Sequence, residues 1–211
     1  MNTKLIAAAA VAVVSGATIE PVNPIDPSVD LPFHLEKRDL VQIVGGIIIQ
    51  LLHSNHLTEL GGCFTYVEED GVDAWAVFQD SKTKDMTHAL DAVVHIGNIL
   101  VRLPETTKTC MNIKSDIAKI TAWAAIFKTP SVAASKIMAN LAANFAEIIH
   151  YLDSFNQHFI GKYYLFAGRE MGAILWMILG NIEGVELPQG WSTTSPIPEA
   201  VEIEDIPYTQ W

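Results

Sequence analysis

Residues Ile137 to Phe159 read IMANLAANFAEIIHYLDSFNQHF, and within them Ile137, Leu141, Phe145, Ile148, Leu152, Phe155 and Phe159 recur at steps of four and three. Such steps place side chains on one side of a helix of about 3.6 residues per turn, so the run predicts an amphipathic helix packed on a core. Its other edge reads Asn140, Asn144, Glu147, Tyr151, Ser154 and His158, which suits a face turned away from that core. At the start of this helix Thr129 can cap free backbone N–H groups and Pro130 fits the first position, where its missing donor costs nothing.

The same periodicity extends to both sides. Ile113, Ile117, Ile120, Ala124 and Phe127 predict a helix that ends before Thr129-Pro130. Met86, Leu90, Val93, Gly97 and Leu100 form the stripe of an earlier one, with His88, Asp91, His95 and Arg102 on its opposite side. That segment runs from Val72 to Leu103, breaks around Asp80-Ser81 and stops at Pro104. From Leu40 to Leu52 the chain is apolar almost all round, interrupted by Gln42, Gly45, Gly46 and Gln50, and it closes at Gly61-Gly62. A helix with no polar face must be buried, and Gly45-Gly46 would let a second backbone come close. Ile47-Ile48-Ile49 would also suit a strand. A last helix from about Lys162 to Asn181 carries Gly168 and Gly172, a small-xxx-small spacing that favours close helix packing, beside Leu165, Leu175, Trp176 and Leu179.

The two ends differ from this middle. Lys4 followed by the apolar stretch Leu5 to Val14 and the small residues Ser15, Gly16, Ala17 and Thr18 has the layout of a secretory signal peptide over 1–18. Residues 19–38 hold Pro21, Pro24, Pro27 and Pro32 and end in Lys37-Arg38, a dibasic pair that is either a processing site or a solvated first helical turn. Residues 183–211 hold six acids, four prolines and no Lys or Arg, with Val185, Leu187, Trp191, Ile197, Val201, Ile203, Ile206, Tyr208 and Trp211 spaced among them. That composition predicts an extended acidic tail, and its apolar residues favour docking along the bundle or a neighbouring subunit.

Composition excludes some functions. With 24 acidic against 13 basic residues and a pI near 4.9, the chain lacks the concentrated positive charge that nucleic acids select. The apolar runs Ile43 to Leu52 and Met171 to Gly180 are ten residues each, short of the roughly 18 that cross a bilayer. Cys63 and Cys110 are the two cysteines, and in a secreted chain they read as one disulfide. No Asn-x-Ser/Thr acceptor for glycosylation occurs.

The stretch Ser115 to Pro130, with Trp123-Ala124-Ala125-Ile126-Phe127-Lys128-Thr129-Pro130 at its end, then Asn140, then Lys162-Tyr163-Tyr164-Leu165-Phe166-Ala167-Gly168-Arg169-Glu170-Met171-Gly172, forms a recurrent pattern. It is similar to small secreted helical proteins of ciliated protists, in which Trp-Ala-x-Ile-Phe-x-x-Pro and a Tyr-Tyr-x-Phe-Gly-x-x-x-Gly-like segment follow a cysteine. Here Ala167-Gly168 stands where Phe-Gly would be expected, a one-residue departure. The resemblance spans roughly residues 110 to 180 and implies secretion, an all-α fold and a disulfide; it carries no catalytic residue.

Two constellations have the spacing of metal ligands. Glu147-x-x-His150 and Asp85-x-x-His88 each put a carboxylate and an imidazole on one helix face, as in di-iron bundles, but two more inward carboxylates are needed and Glu170 is the one plausible residue in the later chain. His88, Asp91 and His95 share a face opposite the apolar stripe, where surface residues belong. There is no Gly-x-Ser-x-Gly elbow and no cysteine–histidine nucleophile.

These readings converge on an all-α bundle of about five helices over residues 39–182, with one disulfide and an extended acidic C-terminal tail. Its mean hydropathy of +0.26 and its half-hydrophobic composition imply apolar surface that core, ligand or partner must cover. The expected function is non-catalytic: a secreted protein that holds lipid or another apolar small molecule, without cofactor, against Ile47, Leu51, Trp123, Phe127, Phe145, Phe159, Trp176 and Leu179. The alternative is a structural protein that assembles into a homo-oligomer or filament through the Gly168/Gly172 face and the tail. A metal-binding bundle ranks third.

Overall fold

A computed structural model describes residues 35–128 and 130–185, with the side chains of residues 130–136 excluded. The expected signal peptide, most of the proline-rich leader, the Thr129 cap and the tail beyond Val185 lie outside the described residues. Among those residues the chain is all helical: α1 (Lys37–Leu52), α2 (Leu57–Cys63), α3 (Glu68–Asp80), α4 (Met86–Thr106), α5 (Lys114–Trp123), α6 (Pro130–Ala143), α7 (Phe145–Ile160) and α8 (Tyr164–Leu179), with 3-10 turns at Met111–Ile113 and Ala124–Lys128.

Eight helices replace the five expected, because apolar periodicity continues across breaks that local polar chemistry makes. The long run from Pro130 to Phe159 divides at Asn144, whose φ of −115° and ψ of 19° leave the helical region. Its Nδ2 donates to the Asn140 carbonyl at 2.9 Å, the local side-chain bond by which asparagine competes with helix continuation. The α5 helix likewise tightens into a 3-10 stretch from Ala124 while Ile113, Ile117, Ile120 and Ala124 all stay buried. Gly61-Gly62 lies inside α2 rather than closing the first helix, which ends one loop earlier at His53 in the left-handed conformation (φ 56°). The α4 helix runs past Pro104 to Thr106; proline so near the end removes one late hydrogen bond, and the Thr106 and Thr107 hydroxyls both donate to the Leu103 carbonyl.

The dibasic pair forms the first turn of α1. Glu36 caps it reciprocally with Asp39, the Glu36 N–H donating to Asp39 Oδ2 at 2.9 Å, and Arg38 reaches Glu36 at 3.0 Å.

Helices α1 and α8 are the inside of the molecule. Twelve of sixteen residues are buried in each, so neither has a solvated face wide enough to be peripheral. Their contacts progress from Ile43 with Gly168, through Ile47 and Gln50 with Gly172, to His53 with Trp176, which makes the pair parallel. The crossing is too close for side chains. A Cβ on Gly168 would be driven into the Ile43 carbonyl, and one on Gly46 into the Leu165 carbonyl and to 2.9 Å from the Arg169 nitrogen. Around this pair, α7 returns antiparallel to α8, and α3 and α4 form a hairpin that meets α7 through Phe78 stacked on Phe159 at 5.0 Å and Asn156 donating to Ser81 Oγ at 2.9 Å. Asn140 of α6 donates to the Ile178 carbonyl of α8, so the edge expected to be solvated contributes to packing.

Cys63 at the end of α2 and Cys110 after α4 stand at disulfide distance, with Cα atoms 5.1 Å apart. Thr65 N–H to Thr106 O at 2.7 Å and Thr109 Oγ1 to Cys63 O at 2.6 Å hold the same two segments together.

Candidate functional site

Polar groups inside an apolar bundle are where chemistry can reside, since each unpaired one costs several kcal/mol in order of magnitude. Two clusters among the described residues differ in how their charges are paired.

The first lies between α3 and α4. His95, expected at the surface, is buried, and its Nδ1 contacts Asp73 Oδ1 at 2.5 Å. Arg102 Nε donates to Asp70 Oδ1 at 2.7 Å, while its Nη2 donates to Asp73 and to the Glu69 carbonyl. The side of α4 opposite the apolar stripe is therefore covered by α3, whose own acids neutralise it. Burial pushes Asp70 up to about 6 against the opposing pull of Arg102. Arg102 and His95 thus engage both aspartates in a structural lock, in which Asp70 Oδ2 is the enclosed oxygen left without a hydrogen bond.

The second lies on the α1–α8 pair. Gln50 is 2% exposed, and its Oε1 is enclosed without a hydrogen bond. Arg169 is 4% exposed, and its Nε is likewise enclosed and unbonded. Gln50 packs its Cβ 2.7 Å from where a Gly172 Cβ would stand, and the Arg169 backbone faces Gly46; each residue is one turn from the other's glycine contact. Beside them Glu170 is buried, and burial pushes its carboxyl up to about 7, with Arg169 pulling the other way. His158 of α7 brings Nδ1 to 3.4 Å from Glu170 Oε1, within ion-pair range but not aligned as a hydrogen bond. Burial lowers the pKa of His158, and lowers that of His53 with further help from the Arg169 charge. Both imidazoles thus favour the uncharged form, and burial also lowers the pKa of Arg169 while the Glu170 charge opposes that shift.

The eight residues expected to line a ligand site fall into three groups. Ile47, Leu51, Trp176 and Leu179 lie on the α1–α8 pair; Trp123 and Phe127 lie at the end of α5 and in the turn after it; Phe145 and Phe159 lie on α7. Ile47, Leu51, Phe159 and Leu179 are core residues, whereas Trp123, Phe127, Phe145 and Trp176 are half-buried at its border. Phe127 lies over Gly97, and Trp176 donates Nε1 to Asn181 Oδ1 at 2.6 Å with its ring edge toward His53.

The metal-like spacings have other uses. Asp85 caps α4 by accepting from the His88 N–H at 2.9 Å, and Glu147 and His150 are exposed on α7. Among the described residues no three His, Cys, Asp or Glu side chains are grouped to hold a metal ion, and no helix is long and apolar enough to cross a membrane.

No family model matches the chain, and neither a curated protein nor a solved structure is similar enough to count as a match.

Proposed function

We propose that the protein is a secreted, non-catalytic binder of lipid or another apolar small molecule, held where the α1–α8 pair meets the border of the core. The observation that carries this reading is the pair itself: two adjacent helices with almost no polar face, bordered on α8 by the half-buried Trp176 and Met177. Such side chains can move aside for a hydrocarbon chain at lower cost than fully enclosed ones. Extracellular placement draws on the Leu5 to Val14 run and on the resemblance to secreted helical proteins of ciliated protists.

Self-assembly is the second reading, favoured by Ile160, Tyr163 and Phe166, which are exposed together around the α7–α8 turn. The Gly168/Gly172 face does not serve it, because α1 of the same chain already occupies that face.

Native mass spectrometry of protein taken from its own secretion separates the two. The binding reading predicts a monomer or small oligomer with excess mass that leaves on denaturation. A large assembly with no bound mass would overturn it in favour of self-assembly.

A further inference from the structure

Arg102 and Arg169 sit in one molecule and show opposite solutions to the burial of a guanidinium. Arg102 has two carboxylates and a carbonyl around its fork. Arg169 is more deeply enclosed, yet its Nε has no hydrogen-bond partner among the described residues. A guanidinium whose Nε is enclosed without an acceptor in an apolar setting is a costly arrangement for a fold to hold. Leucine or methionine would fill the same volume without that cost. Glu170, the adjacent acid, points its carboxyl toward His158 of α7 and forms no ion pair with Arg169. Gln50, on the facing helix, packs against Gly172 and leaves its Oε1 enclosed and unbonded. Two buried polar side chains, one cationic and each with an enclosed unbonded atom, therefore lie on an otherwise apolar helix pair.

We infer that Arg169, with Gln50 beside it, is the receptor for an oxyanion, a carboxylate or a phosphate, that a ligand brings to the α1–α8 crossing. The guanidinium fork matches two oxygens of either group, and the enclosed Gln50 Oε1 is an acceptor for a protonated oxygen of the ligand. Joined to the apolar wall of the pair, such a site selects an anionic amphiphile over a neutral one. The choice of an amphiphile rests on the ligand-binding reading above; the oxyanion contact does not.

Two measurements on the full chain separate these layers. In the first, thermal unfolding is followed with sodium chloride replaced by sodium phosphate or acetate at constant ionic strength. Wild type is expected to gain melting temperature in phosphate and acetate, Arg169→Gln to gain none, and Arg169→Lys to gain part. No gain in wild type, or an equal gain in wild type and Arg169→Gln, overturns the site. Should Arg169→Gln fail to fold, Arg169→Lys decides: a gain smaller than wild type supports the site, and an equal gain overturns it. In the second, decanoate and decanol are titrated by calorimetry. Decanoate is expected to bind wild type about tenfold or more tighter than Arg169→Gln, with decanol unaffected by the substitution. If neither amphiphile binds while phosphate still stabilises through Arg169, the carrier reading fails and the oxyanion site stands. If both bind wild type and variant alike, the carrier reading stands and the oxyanion site falls.

Discussion

At the scale of single residues, the two arginines should respond to substitution with opposite signs. Arg102→Ala leaves Asp70 and Asp73 buried beside His95 without their cation, and is expected to destabilise the fold by about 3 kcal/mol or more in denaturant titration. Arg169→Leu removes a buried charge whose Nε is unbonded, and is expected to stabilise by about 1 kcal/mol or more while abolishing the response to phosphate. Glu170 gives a pH-dependent counterpart. Its folded pKa is raised, to about 7, so the folded state holds a proton that the unfolded state has lost between roughly pH 4.5 and 7. Its contribution is favourable below that window and is lost as pH rises through 7. Glu170→Gln should therefore match wild type near pH 4 and exceed it by about 2–3 kcal/mol at pH 8, where both His158 and His53, whose pKa values burial lowers, are neutral in wild type and variant alike. His95 shows why such sites are hard to read from sequence. A histidine opposite an apolar stripe looks solvated until its partner is known, and that partner, Asp73, belongs to a different helix. Arg169 had a faint signal: with Glu170 it supplies the charge of an otherwise apolar α8.

At the scale of elements, the α1–α8 crossing is set by glycine, and the penalty for filling it follows from what stands opposite. Gly168→Ala meets backbone, which cannot rotate away, and is expected to cost about 2 kcal/mol or more even after alanine's helix-propensity gain. Gly62→Ala has no atom within 4 Å of its new methyl group and is expected to be neutral or stabilising by up to about 1 kcal/mol. Thermal melts of the two variants would test this; equal stabilities would mean that the helices are not in close contact. Helical class and most helix positions were legible because one-sided burial imposes its period on the sequence. The number of helices was not. Apolar spacing from Ile137 to Phe159 is unbroken across Asn144, since both helices made from it face the same core and only a side-chain bond to the Asn140 carbonyl marks the division. Pro104 erred in the other direction, because proline within the last turn sacrifices a single bond that threonine hydroxyls help to offset.

At the scale of the whole molecule, the Cys63–Cys110 link ties the end of α2 to the segment after α4 across a separation of 47 residues. In the chain-entropy model a loop of that size contributes about 4 kcal/mol, so the Cys63→Ser/Cys110→Ser double variant should keep its helical circular dichroism but melt markedly lower. An unchanged melting temperature would show that the link is not formed in solution. Among the described residues the helices wrap an apolar pair that holds the buried Arg169, and function is proposed at that pair rather than on the outer faces. Hydrogen–deuterium exchange of the full chain with and without decanoate tests this most directly. Added protection concentrated in residues 40–52 and 164–179 is the predicted result. Protection confined to the Ile160, Tyr163 and Phe166 corner, or no change with saturating decanoate, would contradict it.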